Sequence, residues 1–133
     1  MSGPFVVVSR SRIRAGRAAA HALWYEALCR SVEENEPRML AFNAYESEDR
    51  QVCVVVQIHP DAESMEYHLS LYADKVLGTP EYDQVESIEI CGAPSEALER
   101  RLQADFPNLP VTVVRVHRAG FTRLREVSDV VAG

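Results

Sequence analysis

The spacing of apolar and polar positions changes several times along the chain, and each change marks an element. Residues 5–8 are apolar and largely β-branched, and residues 9–13 alternate outward, which predicts a first strand. Ala15-Gly16-Arg17 is a short connection. Ala20, Trp24, Ala27, Leu28 and Val32 then recur at the spacing that lines one helix face, with Arg17, Glu26, Arg30, Glu33 and Glu34 opposite. Pro37 stops this helix, since proline lacks the amide that a helix interior needs.

From Met39 the period drops to two. Leu40, Phe42 and Ala44 point one way, and Met39, Ala41, Asn43 and Tyr45 the other. The polar run 46–50 predicts a hairpin loop into a third strand over residues 51–59. Val52, Val54, Val56 and Ile58 share one of its faces, and Cys53, Val55, Gln57 and His59 the other. Pro60-Asp61 opens a second helix, because proline suits the first turn and a carboxylate favours the positive end of the dipole. Met65, His68, Leu69, Tyr72 and Val76 form its inward stripe, with Glu63, Glu66, Ser70 and Asp74 outward, and Gly78-Thr79-Pro80 ends it. A fourth strand is expected over residues 84–91, a short helix from Pro94-Ser95 with Leu98, Leu102 and Phe106 aligned, and a last strand over residues 111–117.

This order, β-α-β-β-α-β followed by a helix and a strand, predicts an α+β fold with a ferredoxin-like split βαβ sheet. The helices cover one face of such a sheet. The other is expected to carry Cys53, Val55, Met39 and Ala41, too apolar to leave in water. A second copy of the chain is the expected cover, burying at least ~800 Å² per partner. The expectation is one domain over residues 1–133, with a core of about 5–92 and a helix–strand extension of about 93–133, acting as a homodimer.

Composition narrows the function. A chain of 133 residues matches one domain of ~100–150 residues. The net charge of −6 argues against nucleic acid, which usually meets a basic face. Cys29, Cys53 and Cys91 lack metal-type spacing and read as small buried hydrophobes. The longest apolar runs fall far short of the ~20 residues of a membrane span, and no leader pattern opens the chain, so cytoplasmic residence is expected. No phosphate loop or G-x-S-x-G occurs, and His59, His68 and His117 show no metal-ligand spacing, so neither cofactor nor metal is expected.

The stretch Glu36-Pro37-Arg38-Met39-Leu40, then residues 52–58, then Asp61-Ala62-Glu63 and His68, resembles the dimeric α+β barrel superfamily, in its antibiotic-biosynthesis-monooxygenase-like branch. The resemblance implies homodimers whose sheets pack into a barrel, with a ligand cavity between each sheet and its helices. It also implies, for some members, oxidation of polycyclic phenols to quinones with dioxygen and no cofactor, and for others haem cleavage. This chain departs from the pattern. Arg38 stands where a glycine is usual, Gln57 where an acid is common, and His59 where an aromatic is expected. The asparagine, tryptophan and tyrosine of the quinone-forming members fall on Val55, His59 and near Met65. Of the haem-cleaving set, Ser9 and His59 replace two residues and His68 matches the third.

His68 and Asn43 are the candidate catalytic residues. An inward imidazole can act as a base or hold a ligand oxygen, and Asn43 can orient a phenolate or oxygen. The plainer alternative for His68 is a core histidine satisfied by a carbonyl or a water. Trp24, Phe42, Tyr72 and His59 are the candidate substrate contacts, the aromatics stacking on a small apolar or aromatic ligand. Three functions remain open: a cofactor-independent monooxygenase acting on a small aromatic or polyketide-like substrate, a non-catalytic ligand-binding homodimer, and haem binding or degradation.

Overall fold

The protein is described from a computed structural model, which covers residues 3–76 and 81–123. The expected Gly78-Thr79-Pro80 stop and the side chains of Asp74 and Val76 lie outside the described residues. The elements are β1 (Phe5–Ile13), α1 (Ala18–Asn35), β2 (Ala41–Glu46), β3 (Val52–His59), α2 (Ala62–Val76), β4 (Asp83–Cys91), α3 (Glu96–Asp105) and β5 (Val111–Val114). The strands form a single sheet in the order β2-β3-β1-β4-β5, antiparallel except for the β4–β5 pair.

Capping follows the local chemistry. Asp61 accepts the Ser64 amide at 3.0 Å and so starts α2. Ser95 accepts the Leu98 amide at 3.1 Å and starts α3. The final strand stops at Val114, short of the expected 117, where it has run out of β4 residues to pair with.

The helices cover the face carrying Phe5, Val7, Ser11 and Ile13 of β1 and Cys53, Val55, Gln57 and His59 of β3. This reverses the sequence expectation for β3, which puts Cys53 and Val55 on the uncovered face. They instead pack beneath Tyr25 and Ala18 of α1. Both faces of β3 are apolar, so alternation sorts its residues into two sets without saying which set the helices take. The uncovered face carries Val52, Val54, Val56 and Ile58, with Val6 and Val8 beside them, all half-buried. Met39 precedes β2 and packs under the helices with Leu28, Val32 and Tyr72, so it too is absent from that face.

Helix α1 is also rotated from expectation. Its buried residues are His21, Leu28 and Val32, with Tyr25 in the same phase, while Ala27 is exposed. A stripe drawn through alanines is weak, because alanine is tolerated on either face. The main cluster joins Phe5, Val7, Ile88 and Ile90 of the sheet to Met65 and Leu69 of α2 and Leu98 and Leu102 of α3. The C-terminal helix is therefore part of the core.

The phase of α1 is testable by urea denaturation. Leu28→Ala should lower the unfolding free energy by about 2–5 kcal/mol. Leu23→Ala, at a side chain 67% exposed, should change it by less than about 0.5 kcal/mol. Equal effects would refute the assigned orientation.

Candidate functional site

His68 sits on the inward stripe of α2 and is fully buried. Its Nδ1 lies 2.7 Å from Oε2 of Glu36, whose side chain is 2% exposed. Glu36 is where α1 ends, and its own amide closes the last turn on the Val32 carbonyl. The Glu36-Pro37 corner thus delivers a carboxylate to the interior from the end of a helix. With Nδ1–H donating to Glu36, the reactive position of the ring is Nε2. That Nε2 and the Glu36 Oε1 are both buried without a hydrogen-bond partner. Leaving such atoms unbonded costs ~1–3 kcal/mol each, so both call for a water or a ligand group as partner.

His68 borders an enclosed chamber of about 40 Å³ between the sheet and the helices. Its floor is polar, from Ser9 and Ser11 of β1 and Gln57 of β3, and its walls include Tyr25, Met65, Leu69 and Phe106. A water needs ~10–15 Å³, so the chamber has room for a few waters or a dioxygen and none for a ring system.

A larger, open cleft of about 490 Å³ lies between α1 and β2, lined among others by His21, Tyr25, Phe42 and Cys53. Tyr25 borders both spaces, and the Phe42 ring lies 5.8 Å from that of His68. These two side chains stand between the cleft and the chamber.

The other expected site residues are placed as follows. Tyr72 is buried one turn from His68, rings 5.2 Å apart, with its hydroxyl 2.8 Å from Ser31 Oγ. Trp24 is half-buried and edge-on to Tyr25 at 4.9 Å. Asn43 is exposed and pairs with Val56 on the uncovered face, away from His68. His59 is buried with both nitrogens occupied, Nε2 at 3.0 Å from Gln57 Oε1 and Nδ1 at 2.7 Å from Ser64 Oγ. Burial, and then the facing His68, push its pKa down to about 3. His59 therefore stays neutral and fixes the Gln57 amide that lines the chamber floor.

A second buried histidine–carboxylate pair lies outside the sequence expectations. His21 Nε2 lies 2.7 Å from Asp83 Oδ2, each side chain 3% exposed. The available signals were weak: His21 is in phase with Leu28 and Val32, and Asp83 alternates with Val85. Burial, and then Asp83, push the Cys53 thiol up to about 12, so it stays protonated. Among the described residues, His, Cys, Asp and Glu nowhere gather in threes as a metal site, and no helix is long and apolar enough to cross a membrane.

Solved structures share this architecture. MupZ from Pseudomonas fluorescens superposes with a TM-score of 0.71 at 11% identity, over 90% of this chain and 95% of that one. A candidate antibiotic biosynthesis monooxygenase from Deinococcus radiodurans gives 0.54 at 14% identity, over 68% and 93%. Another from Bacteroides thetaiotaomicron gives 0.56 at 19%, over 63% and 84%. No protein-family model and no curated protein sequence matches the chain. These likenesses establish the fold: it is that of the antibiotic-biosynthesis-monooxygenase-like α+β proteins.

His59 makes stability depend on pH. Between pH 6.5 and about 3 the unfolded chain binds a proton at this residue and the folded chain does not, so stability falls as pH falls. Its contribution is intact above pH 6.5 and should be about 2 kcal/mol smaller at pH 5. Urea denaturation across this range should show a shallower pH slope in His59→Asn, and an unchanged slope would refute the assignment.

Proposed function

We propose that the protein is a cofactor-independent monooxygenase-like enzyme acting on a small aromatic or polyketide-like substrate, with His68 as its base. The observation that carries this reading is the buried His68–Glu36 pair, whose Nε2 has no protein partner and whose ring borders the chamber. Glu36 holds the imidazole in one orientation and stabilises the imidazolium formed when Nε2 takes a proton. This reading requires Tyr25 and Phe42 to move aside, so that a substrate in the α1–β2 cleft brings an activated CH₂ beside an aromatic carbonyl to Nε2; on losing that proton it becomes a carbanion. The carbanion is electron-rich enough to reduce dioxygen directly. One oxygen atom becomes the new carbonyl, and the other leaves as water with the two hydrogens of the oxidised carbon. The chamber has the size for dioxygen, and the fold's likeness to candidate antibiotic biosynthesis monooxygenases supports the same chemistry.

The working form in this reading is a homodimer closed through the uncovered face of the sheet. Val52, Val54, Val56 and Ile58 form an apolar strip there that one chain leaves only half-buried. Val56→Lys should shift the species seen by light scattering from dimer to monomer, whereas a monomeric wild type would sink the dimer.

Oxygen uptake with anthrone tests the chemistry. His68→Ala should slow it by about 10²–10⁴-fold, and Glu36→Gln should slow it by a smaller factor. A wild type that binds such compounds but consumes no oxygen would leave a ligand-binding protein in place of an enzyme.

A further inference from the structure

We propose that the free edge of β5, with the groove between that strand and α3, is a docking site for an extended, acidic segment of another protein, which adds to the sheet as a further strand. Such docking goes beyond the oxygenase reading and uses none of the polar residues of the chamber or the cleft. β5 ends the sheet on one side, bonded to β4 alone. The Ile88 amide donates to the Pro110 carbonyl at 3.0 Å, and the Gly92 amide to the Val114 carbonyl at 2.9 Å. In a parallel ladder alternate residues turn to the same neighbour, so residues 110, 112 and 114 face β4. The amides and carbonyls of Val111 and Val113 therefore face outward, and no strand among the described residues meets them. Edges are commonly blunted by charge, yet Val111-Thr112-Val113-Val114 carries none. The strand pattern of the sequence also runs on to His117, past the end of the ladder.

On the helix side of this edge lies a groove of about 340 Å³, lined by Leu102 of α3, by Phe106 and Leu109 after it, and by Val111 and Val113. Its volume lies in the range of pockets that seat a ligand group. An added strand directs alternate side chains to this side of the sheet, so one segment can make both the main-chain bonds and the apolar contacts. Charge selects the occupant. The chain carries −6, yet residues 106–123 hold Arg115, His117, Arg118 and Arg123 with no Asp or Glu. Arg115 is paired with Glu99 at the groove. Arg118 and Arg123 are exposed, and among the described residues neither is ion-paired. Arg123 rests over the Phe121 ring at 4.5 Å. A basic end on an acidic protein suits a segment with alternating apolar residues and a flank rich in carboxylates. The β5 of a second copy brings no carboxylate, because residues 106–123 have none, and so leaves both arginines unpaired.

Fluorescence anisotropy with the labelled peptide Glu-Asp-Val-Thr-Val-Thr-Val-Asp-Glu tests the site, against the same peptide with lysine at every acidic position. The acidic peptide should bind saturably, at least about tenfold more tightly than the lysine peptide. Arg118→Glu combined with Arg123→Glu, both at exposed positions, should reverse that preference. Gln103→Trp, which fills the groove from an exposed helix position, should weaken the acidic peptide by at least about tenfold. At saturation the Val113 amide should exchange with solvent at least about tenfold more slowly, because a bound strand gives it the partner it lacks. Equal binding of the two peptides, no binding of either, or unchanged exchange at Val113 would each overturn the proposal. So would protection of Val113 that rises with protein concentration alone, since a second copy then holds the edge.

Discussion

The central strand β1 sets the interior. It is hydrogen-bonded on both sides, to β3 and β4, and its inward residues run Phe5, Val7, Ser9, Ser11, Ile13. The apolar ends seed two separate clusters, Phe5 and Val7 in one and Ile13 in the other. The two serines between them are too small and too polar to join these clusters. The layer therefore opens at its middle, and the chamber lies there. His68 comes down onto this opening from α2, and Gln57 rises into it from β3. One strand's alternation thus places both the packing and the gap in the packing.

The polar groups around the gap are held in linked sets. His59 is bonded to Ser64 on one side and to Gln57 on the other, and its ring lies 6.1 Å from that of His68. His68 is tied to Glu36, and on the other side of Tyr25 the cleft has its own pair, His21 and Asp83. Burying a carboxylate costs several kcal/mol before its partner offsets it, so two such pairs in a small domain are not what stability alone selects. The apolar clusters on either side, with α3 adding Leu98 and Leu102, offset that cost. The C-terminal helix, whose Leu102 and Phe106 line the chamber, thereby helps to carry the polar interior.

Much of this was legible in the sequence. Every strand and helix could be placed from its spacing, and the start of α2 followed from Pro60 and the charge of Asp61. What could not be read was the sign of a face. Strand β3 is apolar on both sides, so its pattern is symmetric, and Asn43 on its neighbour inherited the ambiguity and lies away from His68. In α1 the inward phase runs through His21 and Tyr25, which weigh little on a hydrophobic scale, while the alanines suggested a neighbouring phase. The two buried pairs join residues 32 and 62 positions apart, and no local pattern encodes a contact of that range. Glu36 had a local signal, a carboxylate directly before a helix-ending proline. Its partner became identifiable only once α2 was packed beside it.

The residues at which the chain differs from the pattern it resembles make physical sense together. The acid common late in the third strand is Gln57 here, and the aromatic two residues on is His59; the two bond to each other within the interior. A carboxylate at 57 would have placed another ionised group in the layer that already holds Glu36, and burying an unpaired charge is among the costliest changes a core can suffer. The neutral amide avoids that charge and keeps a polar atom on the chamber floor. The carboxylate that orients His68 is supplied instead from the end of α1, at a corner already constrained by Pro37. Arg38, in place of the usual glycine, reaches across to Asp61 at the start of α2 and ties that corner to the helix bearing His68. Arg38, Gln57 and His59 therefore act on one geometry: they brace the corner and the strand on either side of the His68 imidazole, which borders the gap beside Ser9 and Ser11.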